Sequence, residues 1–349
     1  MAPLISCGNI NLKILIPISG GVLRFVSNIL LDKTNPDFPF HPIIFFILSS
    51  LSRCFGLFLY LREPSINELC DNDNIKQFKK VKCQKYVFVV LSSFFDFNEA
   101  FLSNFNYINL DIDNFLDIIF VNLFAYLILK TKFEKHHYTV IIVSTILTII
   151  LSVIKLKEIK GAWKEIIIIL TIISSRIFSS LNLVIDKYII EKKSGIIYEI
   201  MFYNGVITLS LHSIYLIICT IFEISDETAI FDEIPLIEYK EKIYFDNFFE
   251  YWENINGIEL VNISWFIIIE FFISLLFLKT IKYFSPNHLL LMLIIPTISS
   301  FFDGDGVDWK SYETYLAIVI YLLLIFMNLV FIEVIELNFC GLSKNTKKT

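Results

Sequence analysis

Long apolar runs recur along the chain, and they constrain its fold more than any other sequence feature. Each run approaches the roughly 20 residues that a helix needs, at about 1.5 Å per residue, to cross about 30 Å of hydrocarbon. Ten runs of this kind can be read from the sequence. They cover residues 14–31, 40–61, 86–105, 115–129, 138–154, 166–185, 200–222, 261–278, 285–302 and 315–332.

The composition agrees with this interpretation and excludes several other protein classes. Of the 349 residues, 56% are hydrophobic and 18% are charged, and the mean hydropathy is +0.67. Soluble domains carry about 25% charged residues, and one globular core could not enclose this much apolar surface. The sequence therefore excludes a soluble enzyme, a disordered chain and a nucleic-acid-binding protein. We expect the lipid bilayer to be the main partner.

The apolar runs predict helices rather than strands. A bilayer core offers no water to backbone N–H and C=O groups, so a spanning segment must satisfy them internally or in a closed barrel. The runs lack the strict alternation of apolar and polar residues found in barrel strands. The fold class predicted is therefore an all-α membrane protein with ten transmembrane helices.

Lys and Arg in the loops predict the orientation in the membrane. With the N-terminus in the cytosol, 18 of the 29 basic residues fall in cytosolic segments and eight in outside segments. Both termini are then cytosolic, and the tail after the tenth span is basic. The long loop 223–260 is acidic and lies outside the cytosol under this assignment.

The ten spans divide into two groups of five, residues 1–160 and 161–349. Because five is odd, the second group enters the membrane from the opposite face, as in an inverted repeat. The charges inside the spans follow the same division. Arg24 and Arg176 are each the eleventh residue of the first helix of a half, while Asp96 and Glu270 lie near the middle of the third helices.

These intramembrane charges are the strongest candidates for a functional site. Each costs about 2.5 to 3.5 kcal/mol at mid-depth on insertion scales, so it should face the protein interior and find a partner. Arg53 in the second span and Glu99, three residues after Asp96, bring the count to three cations and three acids. Such a balance suits either a closed ion-pair network that holds helices together or a polar cavity from which a solute displaces one partner.

We expect the arginines to coordinate an anionic group of a solute and the acids to balance those charges. Tyr203 and Asn204 in the seventh span could donate hydrogen bonds to the solute or serve in helix packing. The predicted substrate-binding residues are therefore Arg24, Arg53, Asp96, Glu99, Arg176, Tyr203, Asn204 and Glu270.

Other motifs indicate neither an enzyme nor a cofactor. No nucleophile with a base partner, Gly-rich phosphate loop or metal cluster is present in the sequence, and His136-His137 is too isolated to indicate a metal site. Pro296 predicts a kink or break in the ninth span. We therefore expect no catalytic activity and no cofactor.

Three stretches carry a family resemblance. They are SSFFDFNEAFLSNFNYINLDIDNFLDIIFVNLFAYLILKTKF (92–133), SSLNLVIDKYIIEKKSGIIYEIMFYNG (179–205) and KYFSPNHLLLMLIIP (282–296). With the arrangement of five plus five spans, they resemble the drug/metabolite transporter superfamily, especially its branch of nucleotide-sugar and chloroquine-resistance-like transporters.

The resemblance implies a transporter that moves a small polar or organic solute by alternating access. It implies a central cavity lined by helices one, three, four and their counterparts, with the fifth and tenth helices peripheral. We expect an endomembrane location, in the Golgi, the ER or a vacuolar or lysosomal membrane. A homodimer stays open, as do a membrane-embedded lipid-modifying enzyme and a non-transporting scaffold or receptor subunit with a structural ion-pair network.

Overall fold

A computed structural model describes most of the predicted spans and some of their connections. The described residues are 7–32, 42–62, 75–105, 113–156, 162–193, 196–221, 255, 257–284, 286–289, 292 and 312–331. Within them every regular element is a helix and no strand occurs, which confirms the all-α prediction for this part of the chain. Most of the acidic loop, Pro296 and the basic tail lie outside the described residues.

The helices follow the apolar runs of the sequence. In chain order the α-helices are α1 (Cys7–Asp32), α2 (Pro42–Cys54), α3 (Gly56–Arg62), α4 (Ile75–Phe105), α5 (Asp113–Phe124), α6 (Lys135–Leu156), α7 (Ala162–Lys192), α8 (Ile197–Ile221), α9 (Gly257–Tyr283) and α10 (Tyr312–Phe331). A π-helical turn, Ala125–Leu129, continues α5, and a short 3-10 helix, Pro286–Leu289, follows α9.

Three described helices contain a segment that is long and apolar enough to cross a membrane. These segments are Ile169–Lys192 in α7, Ile197–Ile218 in α8 and Gly257–Tyr283, which is the whole of α9. Shorter apolar helical segments are Leu15–Ser27, Leu116–Leu129, Lys135–Leu151 and Tyr315–Phe331. By length and composition the chain is a helical membrane protein.

The described helices coincide with all the predicted spans except the ninth, most of which lies outside the described residues. Two spans differ from a single regular helix. The second is divided into α2 and α3, and the fourth ends in the π-helical turn. That turn is closed by Lys130, whose left-handed backbone, with φ 56°, directs its N–H to the carbonyl of Ala125. A left-handed residue commonly ends a helix in this way.

Helix packing connects early and late parts of the chain. The most extensive contacts join α4 to α7, α2 to α8, α1 to α9 and α5 to α7. α6 packs mainly against α10, where Val140, Val330 and Phe331 form a small buried cluster. The larger core lies among α4, α5, α7, α8 and α9. Its fully buried members include Val184, Ile189, Ile200 and Ile281.

The outer surface of α9 shows why this helix suits a lipid environment. Besides Leu260 and Tyr283, its exposed large apolar side chains are Ile258, Val261, Trp265, Ile268 and Phe272. These five define the outer face. They recur every three or four residues and so form one face of the helix. The opposite face carries Glu270 into the bundle. An apolar outer face with a buried charge turned inward is the arrangement that lipid contact favours.

Candidate functional site

The interruption between α2 and α3 places Arg53 in the bundle. α2 ends at Cys54 and α3 begins at Gly56, and between them the N–H of Phe55 donates to the carbonyl of Ser52 at 3.2 Å. This turn replaces the regular i to i−4 bonds of an α-helix. The guanidinium of Arg53 pairs with the carboxylate of Asp96 on α4.

Gly205 on α8 allows the close approach to this interruption. A Cβ atom at position 205 would lie 2.8 Å from both the backbone nitrogen of Cys54 and the Cβ of Arg53. Real Cβ atoms essentially never approach that closely, and the backbone of α2 cannot turn aside as a flexible side chain could. The absent side chain of Gly205 therefore contributes to the position of Arg53.

Polar side chains from α4, α7 and α8 surround the Arg53–Asp96 pair and form what we call the Asp96 network. Asn182 donates from Nδ2 to Asp96 Oδ1 at 3.4 Å. Ser92 Oγ lies 2.5 Å from Asn182 Oδ1 and 2.6 Å from Asp186 Oδ1. The network consists of Arg53, Ser92, Ser93, Asp96, Asn182, Asp186 and Asn204.

A second group of charges, the Arg176 cluster, lies at the contact of α4, α5 and α7. Arg176 pairs with Glu99 at 3.7 Å and with Asp117 at 3.5 Å. Ser180, one turn along α7, donates to Asp117 Oδ1 at 3.2 Å. Arg176 and Asp117 are both buried, so their charges neutralise each other away from solvent.

Glu270 is buried among hydroxyl groups. Ser27 of α1 donates to one carboxylate oxygen at 2.9 Å, and Ser49 of α2 lies 3.3 Å from the other. No cation lies within ion-pair distance of Glu270 among the described residues, although Arg53 interacts with it electrostatically over a longer distance. Glu270 thus connects α9 to α1 and α2 through the neutral hydroxyl groups of Ser27 and Ser49.

The remaining predicted site residues occupy three different environments. The side chain of Arg24 on α1 is exposed, and it acts on Glu99 only through a longer-range electrostatic interaction. Asn204 is buried within the Asp96 network, where its Oδ1 accepts from Ser93 at 2.8 Å. Tyr203 lies outside the network and packs edge-on against Tyr86, with 5.2 Å between ring centres.

Sequence reasoning missed two carboxylates of this site, Asp117 and Asp186. Both are buried, with 3% and 2% of their surface exposed. Three acids against three arginines therefore does not describe the interior of the described helices, which also buries Lys187, Glu199 and Glu259 while Arg24 is exposed. The signal for Asp186 was the polar series Ser175, Ser179, Asn182 and Asp186 along α7, because residues at that spacing share a helix face.

A further ion pair joins α4, just before the predicted third span, to the beginning of α8. Lys85 Nζ is 2.6 Å from Glu199, and Tyr86 donates to the same carboxylate at 3.0 Å. Both members of the ion pair are largely buried, with 11% and 4% of their side chains exposed. Nearby, Lys193 Nζ donates to Gln84 at 2.9 Å. We call this group the Lys85 closure.

Lys187 of α7 forms hydrogen bonds with the C-terminal end of α9. Its ammonium donates to the carbonyls of Ile281 at 2.7 Å and Phe284 at 2.8 Å. The last carbonyls of a helix have no partner within it and carry the negative end of its dipole, so a cation there is favourable. Lys187 therefore caps α9 and ties it to α7.

No protein-family model matches the chain, and no curated protein matches it. The resemblance to the drug/metabolite transporter superfamily consequently remains a prediction from the three quoted stretches.

Proposed function

We propose that the chain is a membrane transporter of the drug/metabolite transporter type, which moves a small polar solute by alternating access. In this proposal ten helices form two inverted five-helix repeats around the Asp96 network and the Arg176 cluster. The termini lie in the cytosol and the protein resides in an endomembrane. The observation that carries the proposal is the set of buried charges that links helices of both predicted halves.

The pairing of helices supports the inverted repeat. If spans one to five correspond to spans six to ten, each contact between halves should recur after the halves are exchanged. Span one is exchanged with span six, and span eight with span three. The contact of α1 with α9 (spans one and eight) therefore corresponds to the contact of α7 with α4 (spans six and three). The contact of α4 with α8 corresponds to that of α9 with α2. The pairs α2–α8 and α6–α10 map onto themselves. All these contacts occur among the described helices.

The polar contacts follow the same exchange. Asn182 in span six donates to the acid Asp96 in span three. The exchanged contact is that of Ser27 in span one with the acid Glu270 in span eight, at 2.9 Å. A protein that only anchors helices does not need its buried acids at corresponding positions in two repeats. Acids at the repeat interface are where transporters of inverted topology bind their solutes and ions.

The divided second span also supports transport. Interrupted helices at membrane depth are tolerated where the backbone is buried in protein or lines a polar path. Here the last turn of α2, beside the interruption, carries Arg53 against Asp96 of α4, so movement of the end of α2 relative to α4 would change the ion pair directly. We expect solute binding to compete for Arg53 and to couple the site to helix movement.

Transport is tested on purified protein in two steps. A panel of metabolites is first screened for thermal stabilisation, because a ligand that binds only the folded protein raises its unfolding temperature. Stabilising compounds are then offered to proteoliposomes as labelled solutes. We expect at least one of them to accumulate in protein-containing vesicles and not in empty ones.

Arg24→Ala tests the participation of the exposed arginine in uptake. We expect a loss of about tenfold in apparent affinity, the value of about 1.4 kcal/mol of binding energy. Asn98→Ala is the control, because Asn98 is partly exposed and its amide donates locally, to the carbonyl of Phe94 at 2.7 Å. Unchanged uptake and selectivity in Arg24→Ala would remove Arg24 from the solute path.

A structural scaffold is the competing function, and the Arg176 cluster is the observation that favours it. Arg176 already has two acidic partners, Glu99 and Asp117, within 4.0 Å. A scaffold predicts that no compound of the panel stabilises the protein and that none accumulates in proteoliposomes. That result would overturn the transport proposal.

A further inference from the structure

Asp186 is the buried carboxylate whose chemistry the proposed transport path does not yet explain. It lies on α7, with 2% of its surface exposed. Its Oδ1 is 2.6 Å from Ser92 Oγ, and the same Ser92 oxygen is 2.5 Å from Asn182 Oδ1. The Ser92 oxygen therefore lies within short hydrogen-bond distance of two other oxygen atoms.

The number of hydrogens at Ser92 is too small for these contacts. A serine hydroxyl has one hydrogen, an ionised carboxylate has none, and an amide oxygen has none. Ser92 can donate to Asn182 or to Asp186 but not to both. The other short contact would then bring two oxygen lone pairs together in a buried site, which is unfavourable.

A flipped Asn182 amide would donate to Ser92, but it would replace the unfavourable contact at Ser92 with one at Asp96. Asn182 uses its Nδ2 to donate to Asp96 Oδ1 at 3.4 Å, and a flipped amide would place an oxygen against that carboxylate. Asn204 is held by Ser93, which donates to its Oδ1 at 2.8 Å. Asn204 also hydrogen-bonds to the Asp186 carboxylate, and its Nδ2 lies 3.5 Å from Ser92 Oγ, but it supplies no hydrogen between Ser92 and either of the two acceptors.

The charged groups around Asp186 come from two helices. Asp96 of α4 and Arg53 of α2 act on it electrostatically, and Arg53 is already paired with Asp96. The charged groups of the other packed helices are bound elsewhere. Asp117 of α5 contacts Ser180 and Arg176, and Glu270 of α9 contacts Ser27 and Ser49. Glu199 of α8 contacts Lys85 and Tyr86. On α7 itself, Lys187 contacts the end of α9 and Glu191.

We propose that Asp186 is a proton-binding site, and that its carboxylic O–H donates to Ser92 while Ser92 donates to Asn182. Each short contact then contains one hydrogen. Release of the proton leaves a second carboxylate beside Asp96, and the two compete for Arg53 at the helix interruption. The bound proton thereby acts on the same ion pair as the solute, and this coupling rests on the proposed transport function.

Infrared spectroscopy tests the proton site without any transport. A protonated carboxyl has a carbonyl stretch that a carboxylate lacks. We expect the spectrum at neutral pH to lose one such band in Asp186→Asn, whose amide N–H can replace the O–H toward Ser92. Glu191→Gln is the control on the same helix, because Glu191 is 45% exposed. Identical carbonyl regions in wild type and Asp186→Asn would overturn the proposal.

Flux measurements test the coupling. We expect Asp186→Asn to reduce proton-driven accumulation about tenfold, within the usual range of coupling between two sites. Exchange of solute for solute needs no proton release, so it should fall less than proton-driven accumulation does. Proton-driven accumulation equal to wild type would overturn the coupling even if the infrared band is lost. Absence of any flux in wild type, with the band present, would overturn the proposed transport function and leave the proton site standing.

Discussion

At the scale of single residues, the site depends on the missing side chain of Gly205 and on the interruption of α2 as well as on its charged groups. Arg53 approaches Asp96 because α2 is interrupted there, and α8 can lie against the interruption because position 205 has no side chain. The electrostatic contact and the steric contact are consequently coupled. A methyl group at position 205 should disturb the ion pair sterically, although it forms no hydrogen bond or ion pair with either member.

Gly205→Ala should therefore destabilise the protein. Its Cβ would lie 2.8 Å from the backbone nitrogen of Cys54, and overpacking of this kind costs about 1 to 3 kcal/mol. Gly257→Ala is the matched control, since a Cβ there has no neighbour within 4 Å. Thermal unfolding in detergent measures both. Equal unfolding temperatures for the two variants would show that α8 can move away from the interruption without cost.

At the scale of helices, the bundle is held by polar contacts at helix ends as well as by apolar packing. Lys187 is buried on α7, yet its ammonium is occupied by the terminal carbonyls of α9. A buried cation is unfavourable unless it is paired or hydrogen-bonded. The terminal carbonyls of α9 accept hydrogen bonds from the buried ammonium of Lys187, and these carbonyls thereby gain the donor that the helix does not provide.

Lys187→Met should lower the free energy of unfolding by about 1 to 3 kcal/mol, the cost of leaving buried acceptors without a donor. Methionine keeps most of the volume of the side chain, so packing changes little. Lys192→Met on the same helix is the control, because Lys192 is exposed and surface substitutions usually change stability by about 0.5 kcal/mol or less. A Lys187→Met variant as stable as the control would exclude the capping role.

The Lys85 closure should open and close if the protein works by alternating access. We expect a short, cleavable thiol cross-linker between Lys85→Cys and Glu199→Cys, in a chain without its six native cysteines, to reduce uptake about tenfold or more. Cleavage of the linker should restore uptake. Each single cysteine variant, treated alike, is the control. Full uptake by the cross-linked protein would show that this end does not need to open.

At the scale of the whole molecule, the sequence predicts helix positions well because bilayer thickness sets the length of each apolar run. It predicts interruptions poorly. The break beside Arg53 depends on Gly205, about 150 residues later, and no local pattern contains that contact. Asp186 was missed for a related reason. The apolar run that defines the sixth span ends at residue 185, whereas α7 continues to Lys192.

The same reasoning limits what could be predicted of the site. Asp96 and Glu99 are conspicuous because they interrupt an apolar run. Lys85 and Glu199 lie at the ends of runs, where charges are common, and only the packing of α4 against α8 shows that they are buried together. Charges near the middle of a span can thus be read from one sequence, while charges close to a span end, such as Asp117, and partners at span ends require the fold.

The inverted repeat makes a topological prediction that is independent of transport. It equates α4 with α9, so the beginnings of the third and eighth spans, near Gln84 and Ile258, should lie on opposite faces of the membrane. Cysteines at these two positions, introduced one at a time into a chain free of other cysteines, should react with a membrane-impermeant maleimide from opposite sides of sealed vesicles. Lys193→Cys should label from the same side as Gln84→Cys, because Lys193 donates to Gln84 at 2.9 Å. Labelling of positions 84 and 258 from one side would mean an even number of crossings between them, and the two halves could not then be inverted copies.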